Sequence, residues 1–286
     1  MVDNTQYSLL PFSVAMCVFD GDNTAFFKQA LDSIINQTLK PNQIILVVDG
    51  SISASLKNVI SSYDNITFLK VVYLPKNVGQ GNARRIGLEN CSNNLVALMD
   101  ADDISVPDRF EKQIKIFKQF NDLDVVGGNI NEFINSTDNI VGVRLVPQGD
   151  ANIKDYLKKR CPFNQVTVMF KKSSVEFSGG YIDWYQEEDY YLWIRMCEAG
   201  AKFYNIQENL VNVRVGKDMY RRRGGWRYFK SEAKLQMYMY NKNIISFIRV
   251  VFNVSIRFVL QVVMPNSLRG FIFQKFARGE HDEKVS

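Results

Sequence analysis

Three carboxylates stand within four residues directly after a short apolar run. The run is Leu95–Met99, and the acids are Asp100, Asp102 and Asp103. Five consecutive apolar residues are typical of a buried strand, and ligands of open α/β sheets bind at the carboxyl ends of strands. Clustered carboxylates repel one another unless a cation lies among them, so the pattern predicts a Mg²⁺ or Mn²⁺ site. The alternative is that Asp102 or Asp103 caps a helix that begins near Pro107.

A second acidic run, Glu187-Glu188-Asp189, precedes a predicted helix. The sole histidine, His281, lies in a polar stretch near the C-terminus, so acid–base chemistry must come from carboxylates. From spacing alone, these acids fit a helix N-terminus, where negative charge is favourable, better than they fit a catalytic base.

The elements that position these acids alternate between strand and helix. Apolar runs at residues 12–19, 43–48, 66–74 and 95–99 predict strands. Predicted helices at residues 24–37 and around 55–63, and a third that carries Arg84 and Arg85, separate them. This alternation is typical of a Rossmann-like three-layer α/β/α fold with a mostly parallel sheet. We predict a catalytic domain over residues 1–216 and a helical extension over residues 217–286.

Further polar residues follow the other strands of this half. Asp49 ends the second strand, where an acid contacts the nucleoside in nucleotide-binding α/β folds. A loop rich in glycine and asparagine, residues 75–82, opens a helix that carries Arg84 and Arg85. The loop lacks the phosphate-binding GxxxxGK[ST] pattern, and the two arginines fit either a diphosphate contact or an ordinary surface.

As an ordered set, these segments resemble the inverting family-2 glycosyltransferases, which have a GT-A fold. The resemblance covers roughly the first 120 residues and returns at the second acidic run. The matching segments are Ser13 to Asp22, Gln37-Thr38, Val48-Asp49-Gly50-Ser51, Asn77-Val78-Gly79, Asn82-Ala83-Arg84, Asp100-Ala101-Asp102-Asp103, Glu188-Asp189 and Leu192-Trp193-x-Arg195. One departure is Val48, which stands where many members have an aspartate before the aspartate that Asp49 matches.

The resemblance implies a role for each matching position. Asp49 would contact the nucleobase, Arg84 or Arg85 would lie near the nucleotide, and Asp100 and Asp102 would form a DxD pair in which Asp102 holds Mn²⁺ or Mg²⁺. Asp189 would be the general base, with Glu188 as the alternative. The resemblance also places five further residues around the nucleotide sugar: Val18, Asp22, Asn77, Gly79 and Ala101.

The composition indicates the redox state of the cysteines and the kind of partner at the C-terminal end. The 286 residues are 46% hydrophobic and 23% charged, and the four cysteines form no CxxC pair, which is typical of reduced thiols. Residues 1 to 11 carry no basic region before an apolar run, so no secretory signal is predicted. The net charge is −4 over residues 1–216 and +9 over residues 217–286, which predicts an anionic partner at the C-terminal end.

The C-terminal extension predicts a membrane-associated helix. Residues 244–264 are apolar except for a stripe at four-residue spacing, Arg249, Asn253, Arg257 and Gln261. A second helical face continues beyond Pro265 with Leu268, Phe271, Ile272 and Phe276. Two arginines oppose a transmembrane placement, so we expect an interfacial helix on an anionic leaflet or, as the alternative, a core helix. The basic run Arg221-Arg222-Arg223 fits either a phosphate contact or a solvated turn.

The resemblance implies an enzyme of bacterial surface polysaccharide synthesis, such as O-antigen, capsule or exopolysaccharide. It would transfer a sugar from a nucleotide-diphosphate donor, a UDP-sugar by expectation, to a lipid-linked glycan at the cytoplasmic face of the inner membrane. The alternatives are a sugar nucleotidyltransferase and a non-catalytic nucleotide-binding scaffold at the membrane. Nucleic acid is not expected as a partner, because the basic tail is interleaved with aliphatic residues. The donor sugar, the acceptor, the linkage and the oligomeric state do not follow from the sequence.

Overall fold

The computed structural model describes residues 10–216 and 224–265. The basic run Arg221 to Arg223 and the apolar face after Pro265 lie outside the described residues. The strands are β1 (Phe12–Val18), β2 (Gln43–Val48), β3 (Leu69–Tyr73), β4 (Leu95–Met99), β5 (Ile104–Ser105), β6 (Val125–Phe133), β7 (Ile140–Arg144), β8 (Met169–Lys171) and β9 (Phe203–Arg214). The helices are α1 (Thr24–Ile35), α2 (Ala54–Ser61), α3 (Gln80–Asn90), α4 (Arg109–Gln119), α5 (Asp150–Leu157), α6 (Lys172–Phe177), α7 (Glu188–Glu198), α8 (Trp226–Asn241) and α9 (Phe247–Phe258).

The strands of the described residues form one sheet in the order β3-β2-β1-β4-β8-β6-β9-β5, with β7 paired to β6. Strands β1 to β4 are mutually parallel, as the alternation of strands and helices predicts. Beyond β4 the sheet is mixed, because β6 and β9 pair in parallel, as expected, while the other pairings are antiparallel. There, β8 pairs antiparallel with both β4 and β6, and β7 returns on β6 as a hairpin. The βα alternation ends after α4, so nothing constrains the later strands to run parallel.

Helices cover both faces of the sheet, which confirms the three-layer architecture. Alternate residues of β2 enter different cores, because side chains of a strand point to opposite faces. Ile44, Leu46 and Val48 lie in the core beneath α1, α2 and α4, and Ile45 and Val47 lie in the core beneath α3. The parallel strands are therefore apolar throughout, as expected for strands that are buried on both faces.

A buried polar cluster joins α4 to the centre of the sheet. Gln113 is fully buried, and its amide donates 2.8 Å hydrogen bonds to the carbonyls of Val126 and Thr167. Its carbonyl accepts a 3.1 Å hydrogen bond from Arg109, whose guanidinium also donates to the Leu98 carbonyl. The cluster fixes the end of β4, immediately before the acidic motif.

Gln113→Leu should destabilise the protein, because it leaves two buried carbonyls and one Arg109 donor without their partner. We expect a loss of about 2–4 kcal/mol in the free energy of unfolding, measured by urea denaturation. The control is Gln119→Leu on the exposed end of the same helix, which should change stability by less than about 0.5 kcal/mol. Equal midpoints for the two variants would contradict this role.

The C-terminal helices share the core of the body. Leu235 and Met239 of α8, and Ile245 and Val250 around the start of α9, are buried in the same cluster as Trp193. Helix α9 continues as a π-helical turn, Val259–Val263. In the described parts of the chain, no helix combines the length and the apolarity that crossing a bilayer requires.

The polar stripe of α9 points into the protein. Asn253 and Gln261 are buried, and Asn253 donates to the Lys158 carbonyl at 3.1 Å. The Arg257 guanidinium donates to the Lys159 carbonyl at 2.9 Å and pairs with Glu232 at 3.1 Å. Apart from the buried Val250 and the partly buried Val254, most of the apolar side chains face outward, and the most exposed are Ile248 (80%), Val263 (61%), Phe247 (58%) and Phe252 (57%).

Candidate active site

A cavity of about 430 Å³ opens at the carboxyl ends of β1, β2 and β4. It brings together the residues predicted around the nucleotide sugar, which are separated by more than 80 positions in the chain. Its lining includes Val18, Asp22, Asp49, Asn77, Gly79, Arg84, Asp100, Ala101 and Asp102. We call it the donor cavity. Arg85 is absent from its lining and pairs instead with Glu89 on the surface of α3 at 2.6 Å, so Arg84 is the cavity's arginine.

Asp49 holds the glycine-rich loop in place. Its two carboxylate oxygens accept hydrogen bonds from the backbone amides of Val78 at 2.7 Å and Gly79 at 3.1 Å. Gly50 permits this approach, because its φ is +89° and a Cβ there would lie 2.6 Å from the Asn77 nitrogen. Asp49 therefore orders one wall of the donor cavity while its side chain also lines it.

Three carboxylates, Asp22, Asp100 and Asp102, face the donor cavity. Burial, together with the charges of Asp102 and Asp100, raises the pKa of Asp22 to about 6, although a hydrogen bond from the Phe19 amide opposes the shift. Repulsion of this kind is relieved by a cation, and hard oxygen donors suit Mg²⁺ or Mn²⁺. Across residues 10–216 and 224–265, no three acidic, histidine or cysteine side chains converge into a complete metal site. Asp100 and Asp102 are the carboxylates of this cavity that could hold such an ion.

Asp103 has a different role from its two neighbours. It is buried, and its carboxylate accepts a 2.8 Å hydrogen bond from the Arg214 amide at the end of β9. The Arg214 side chain in turn donates to the Asp102 carbonyl at 3.1 Å, so β9 supports the acidic loop from behind. Helix α4 begins only at Arg109, and it is preceded by Asp108, which makes no side-chain capping bond. The alternative that Asp102 or Asp103 caps this helix is thus wrong.

Arg84 joins the two acidic motifs. Its guanidinium lies 3.0 Å from the Asp100 carboxylate and 3.0 Å from the Glu188 carboxylate, and the side chain is only 9% exposed. Burial opposes the charge of Arg84, but Asp100 and Glu188 outweigh it and raise its pKa. The buried guanidinium is held between the nearly buried Glu188 and the partly exposed Asp100, and loss of either partner would leave buried charge uncompensated. Glu188 is therefore engaged in a structural ion pair.

A second cavity, of about 530 Å³, adjoins the first. Asp100 lines both cavities, and Asp189 lines the second. Its other walls come from residues 159–166, from Glu187 and from the inward face of α8 and α9. We call it the acceptor cavity. The two acidic motifs therefore stand where the cavities meet, with Asp100 and Asp102 on the donor side and Asp189 on the acceptor side.

The surroundings of Asp189 suit a base. Burial raises its pKa, while the charges of Arg84 and Arg144 and a 2.7 Å hydrogen bond from the Tyr190 amide lower it again. A general base is most effective when its pKa approaches the working pH, so the net rise in the pKa of Asp189 is in the direction that a base would need. The acid also lies in the first turn of α7, so the helix-dipole interpretation and the base interpretation are both compatible with its position.

Sequence reasoning missed several residues of this region. Arg144 lines the acceptor cavity and donates to the Cys161 carbonyl at 2.9 Å, and Arg214 supports the acidic loop. Glu187 belongs to the second acidic run but was given no role of its own; it is buried in the same cavity, and burial raises its pKa well above the ordinary value. A single arginine at a strand end carries no periodic or motif signal, so only the three-dimensional structure identifies these positions.

Solved structures with the same architecture hold nucleotide sugars. The crystal structure of S. aureus TarS 1-349 in complex with UDP-GlcNAc matches with a TM-score of 0.65 at 14% identity, covering 87% of this chain and 73% of that chain. A mannosyltransferase from Pyrobaculum calidifontis, solved with GDP-Man and Mn²⁺, matches with a TM-score of 0.60 at 12% identity, covering 92% and 73%. These likenesses concern the fold, and they confirm the predicted GT-A architecture.

Relatives in sequence extend over nearly the whole chain. An uncharacterized glycosyltransferase of Haemophilus influenzae is 38% identical, covering 94% of this chain and 100% of its own. The UDP-Gal:alpha-D-GlcNAc-diphosphoundecaprenol beta-1,3-galactosyltransferase of Escherichia coli is 35% identical, covering 93% and 96%, and the amylovoran biosynthesis glycosyltransferase AmsE of Erwinia amylovora is 35% identical, covering 94% and 100%. The model of glycosyl transferase family 2 matches residues 13–176, which is more than half of the chain. The family match and these relatives together show that the chain belongs to glycosyl transferase family 2.

Proposed function

We propose that this protein transfers a sugar, with inversion, from a UDP-sugar to a hydroxyl of a lipid-linked glycan in bacterial surface polysaccharide synthesis. The observation that carries the proposal is the adjoining pair of cavities. One contains the residues expected to bind a nucleotide sugar, and the other presents a buried carboxylate at the junction. The relatives named above support the substrate classes, since one is a galactosyltransferase whose printed name specifies UDP-Gal and a diphosphoundecaprenol-linked acceptor.

The proposed reaction is a single displacement. The Asp189 carboxylate accepts the proton of the acceptor hydroxyl, whose oxygen forms a bond to the anomeric carbon of the donor sugar. The bond from that carbon to the diphosphate oxygen breaks with its electron pair, and UDP leaves into the donor cavity. Because attack and departure occur on opposite faces of the sugar, the anomeric configuration inverts. The cavity junction suits this geometry, since base and donor residues approach it from different sides.

The leaving diphosphate needs positive charge. Arg84 lines the donor cavity and is held by Asp100 and Glu188, so its guanidinium is fixed before substrate binds. Asp100 and Asp102 would hold Mn²⁺ or Mg²⁺, whose charge stabilises the departing diphosphate when the ion is bound. The upward shift in the pKa of Asp22, caused by burial and by these two acids, supports the same placement.

We further propose that the protein lies on the cytoplasmic face of the inner membrane. The outward face of α9 exposes large apolar side chains, including Phe247, Ile248 and Phe252, in a continuous row. Asn253 and Arg257 of this helix are turned inward and paired within the protein, so neither side chain would enter the lipid. The net charge of +9 beyond residue 216 adds attraction to anionic lipid.

The rate of transfer should depend on pH through Asp189. Because only the carboxylate form accepts a proton, kcat/KM for the acceptor should fall about tenfold per pH unit below the pKa of Asp189. Arg144 lowers that pKa, so Arg144→Gln should move the acid limb of the profile to higher pH. Lys158→Gln is the control, because Lys158 lies outside both cavities. The acid limb of its pH profile should coincide with that of the wild type.

The proposed function is tested with a panel of UDP- and GDP-sugars. Each is assayed for thermal protection and for transfer to a sugar attached to a polyprenyl diphosphate. We expect one UDP-sugar to protect the protein and to be transferred. Protection without transfer to any acceptor would favour the non-catalytic scaffold instead. Release of diphosphate from a sugar phosphate and UTP would favour a nucleotidyltransferase.

A further inference from the structure

The acceptor cavity has a wall whose backbone is fixed at three successive points. The turn after α5 presents its carbonyls to three different side chains from other elements. Asn253 donates to the Lys158 carbonyl at 3.1 Å, Arg257 to the Lys159 carbonyl at 2.9 Å, and Arg144 to the Cys161 carbonyl at 2.9 Å. The turn is therefore rigid although it has no regular secondary structure, and the directions of its side chains are fixed in advance.

Arg160 is the residue between the fixed carbonyls, and its side chain is uncommitted. It lines the acceptor cavity and is half-buried. Among the described residues, its guanidinium has no hydrogen bond or ion pair, whereas Arg84 and Arg257 each have carboxylate partners. Lys159 lines the same wall at 48% exposure, and its only ion pair in the described chain joins it to the exposed Asp155 at 3.1 Å. Exposed pairs of this kind contribute little and are easily exchanged.

The charges of the cavity orient a ligand that carries both a hydroxyl and an anionic group. Carboxylates of Asp100, Asp189, Glu187 and Glu232 line the walls, and they repel an anion. Arg257 is already neutralised by Glu232 at 3.1 Å. Arg144 also lines the cavity, but its guanidinium is engaged with the Cys161 carbonyl and acts on Asp189. Lys159 and Arg160 carry the other positive charges of the lining, so an anionic group is drawn to their wall while a hydroxyl can approach Asp189.

We propose that Arg160, assisted by Lys159, binds the diphosphate of the lipid-linked acceptor. This inference rests on the proposed function and deepens it by assigning the site for the charged part of the acceptor. Guanidinium groups bind phosphate oxygens through two parallel hydrogen bonds, and a rigid backbone makes such a contact specific. Asn253 and Arg257 act as positioning residues, because they hold the turn from α9.

The lipid chain has a matching path. Ile256 and Leu260 line the acceptor cavity from the C-terminal helix, and Ile256 is itself 42% exposed. The apolar face of α9 continues outward from this edge through Phe252 and Val259, both about half exposed. A prenyl chain that leaves a diphosphate at Arg160 would meet this face, so one helix would contact both the acceptor and the membrane.

The test is direct binding of a water-soluble acceptor analogue to the full-length protein. The probe is N-acetylglucosamine diphosphate carrying a farnesyl chain, titrated calorimetrically with UDP present in saturating amount so that the donor cavity is filled. The comparison probe is the farnesyl glycoside of the same sugar, which lacks the diphosphate. We expect Arg160→Gln to weaken binding of the diphosphate probe about tenfold to a hundredfold, and to leave binding of the neutral probe unchanged.

Lys158→Gln is the matched control, because Lys158 is a neighbouring cation whose side chain lies outside the cavity lining. It should bind both probes as the wild type does, and both variants should bind UDP normally. The inference is overturned if the wild type does not prefer the diphosphate probe, if Arg160→Gln and Lys158→Gln bind it equally, or if Arg160→Gln weakens UDP instead. Binding of the probe without any sugar transfer would retain the site and reject the proposed function.

Discussion

Asp189→Asn should abolish sugar transfer while the protein still binds its donor. The substitution is nearly isosteric and keeps an oxygen that can accept the 2.7 Å hydrogen bond from the Tyr190 amide, so α7 should remain intact. An amide cannot take the acceptor proton, and loss of a general base typically costs ~10²–10⁴-fold in rate. The measurement is kcat for transfer, together with the Kd for UDP-sugar, which should change less than about twofold because Asp189 lines only the acceptor cavity.

Glu188→Gln is the informative comparison. Glu188 pairs with Arg84 at 3.0 Å and lines neither cavity, so its loss should weaken donor binding through Arg84. The two neighbouring substitutions should therefore have different effects: Asp189→Asn should lower kcat, and Glu188→Gln should mainly raise the Kd for the donor. If Glu188→Gln were inactive while Asp189→Asn turned over normally, the base would be Glu188. If both variants stayed active, neither carboxylate would be the base.

Asp102→Asn should reduce transfer roughly a thousandfold or more without unfolding the protein. Removing a charged ligand weakens the hold on Mn²⁺ or Mg²⁺, and the lost stabilisation of the leaving group is expected to be several kcal/mol. Asp102 is exposed at the donor cavity, so its removal creates no void in the core. The rate is measured at saturating donor over a range of Mn²⁺ and Mg²⁺ concentrations, in which the variant should need more metal.

Asp108→Asn is the control for this variant. Asp108 lies six residues further on, pairs with Lys112 at 2.9 Å on the surface, and lies outside the donor cavity. It should leave both the rate and the metal requirement unchanged. Full activity of the wild-type protein in excess chelator would show that transfer needs no metal ion, and Arg84 would then be the principal positive charge beside the diphosphate.

The N-terminal half of the fold follows from local patterns. Strands β1 to β4 are continuous apolar runs with polar residues at their carboxyl ends, and parallel pairing brings those ends to one edge. Asp49 and Asp100 are therefore predictable as neighbours although 51 positions separate them. The acidic residues Asp100, Asp102 and Asp189 carry chemistry in their residue types, so their position at the cavities is also predictable.

The C-terminal half depends on contacts between distant segments. The antiparallel pairing of β8 with both β4 and β6 has no local signature, because pairing direction is decided by which strand edge is available. The stripe through Asn253 and Gln261 is visible in the sequence, but its inward orientation requires the carbonyls and side chains of α8 and of the turn after α5. The acceptor cavity itself is built largely from these contacts.

The stereochemistry of the product tests directly whether transfer is a single displacement with Asp189 as the base. Wild-type protein is incubated with the α-linked UDP-sugar that protects it and with a polyprenyl diphosphate-linked acceptor, and the new glycosidic bond is assigned by NMR. A single displacement with Asp189 as base predicts a β-linked product, formed by the wild type and not by Asp189→Asn. An α-linked product would contradict the central claim, because retention requires a different arrangement of groups at the cavity junction.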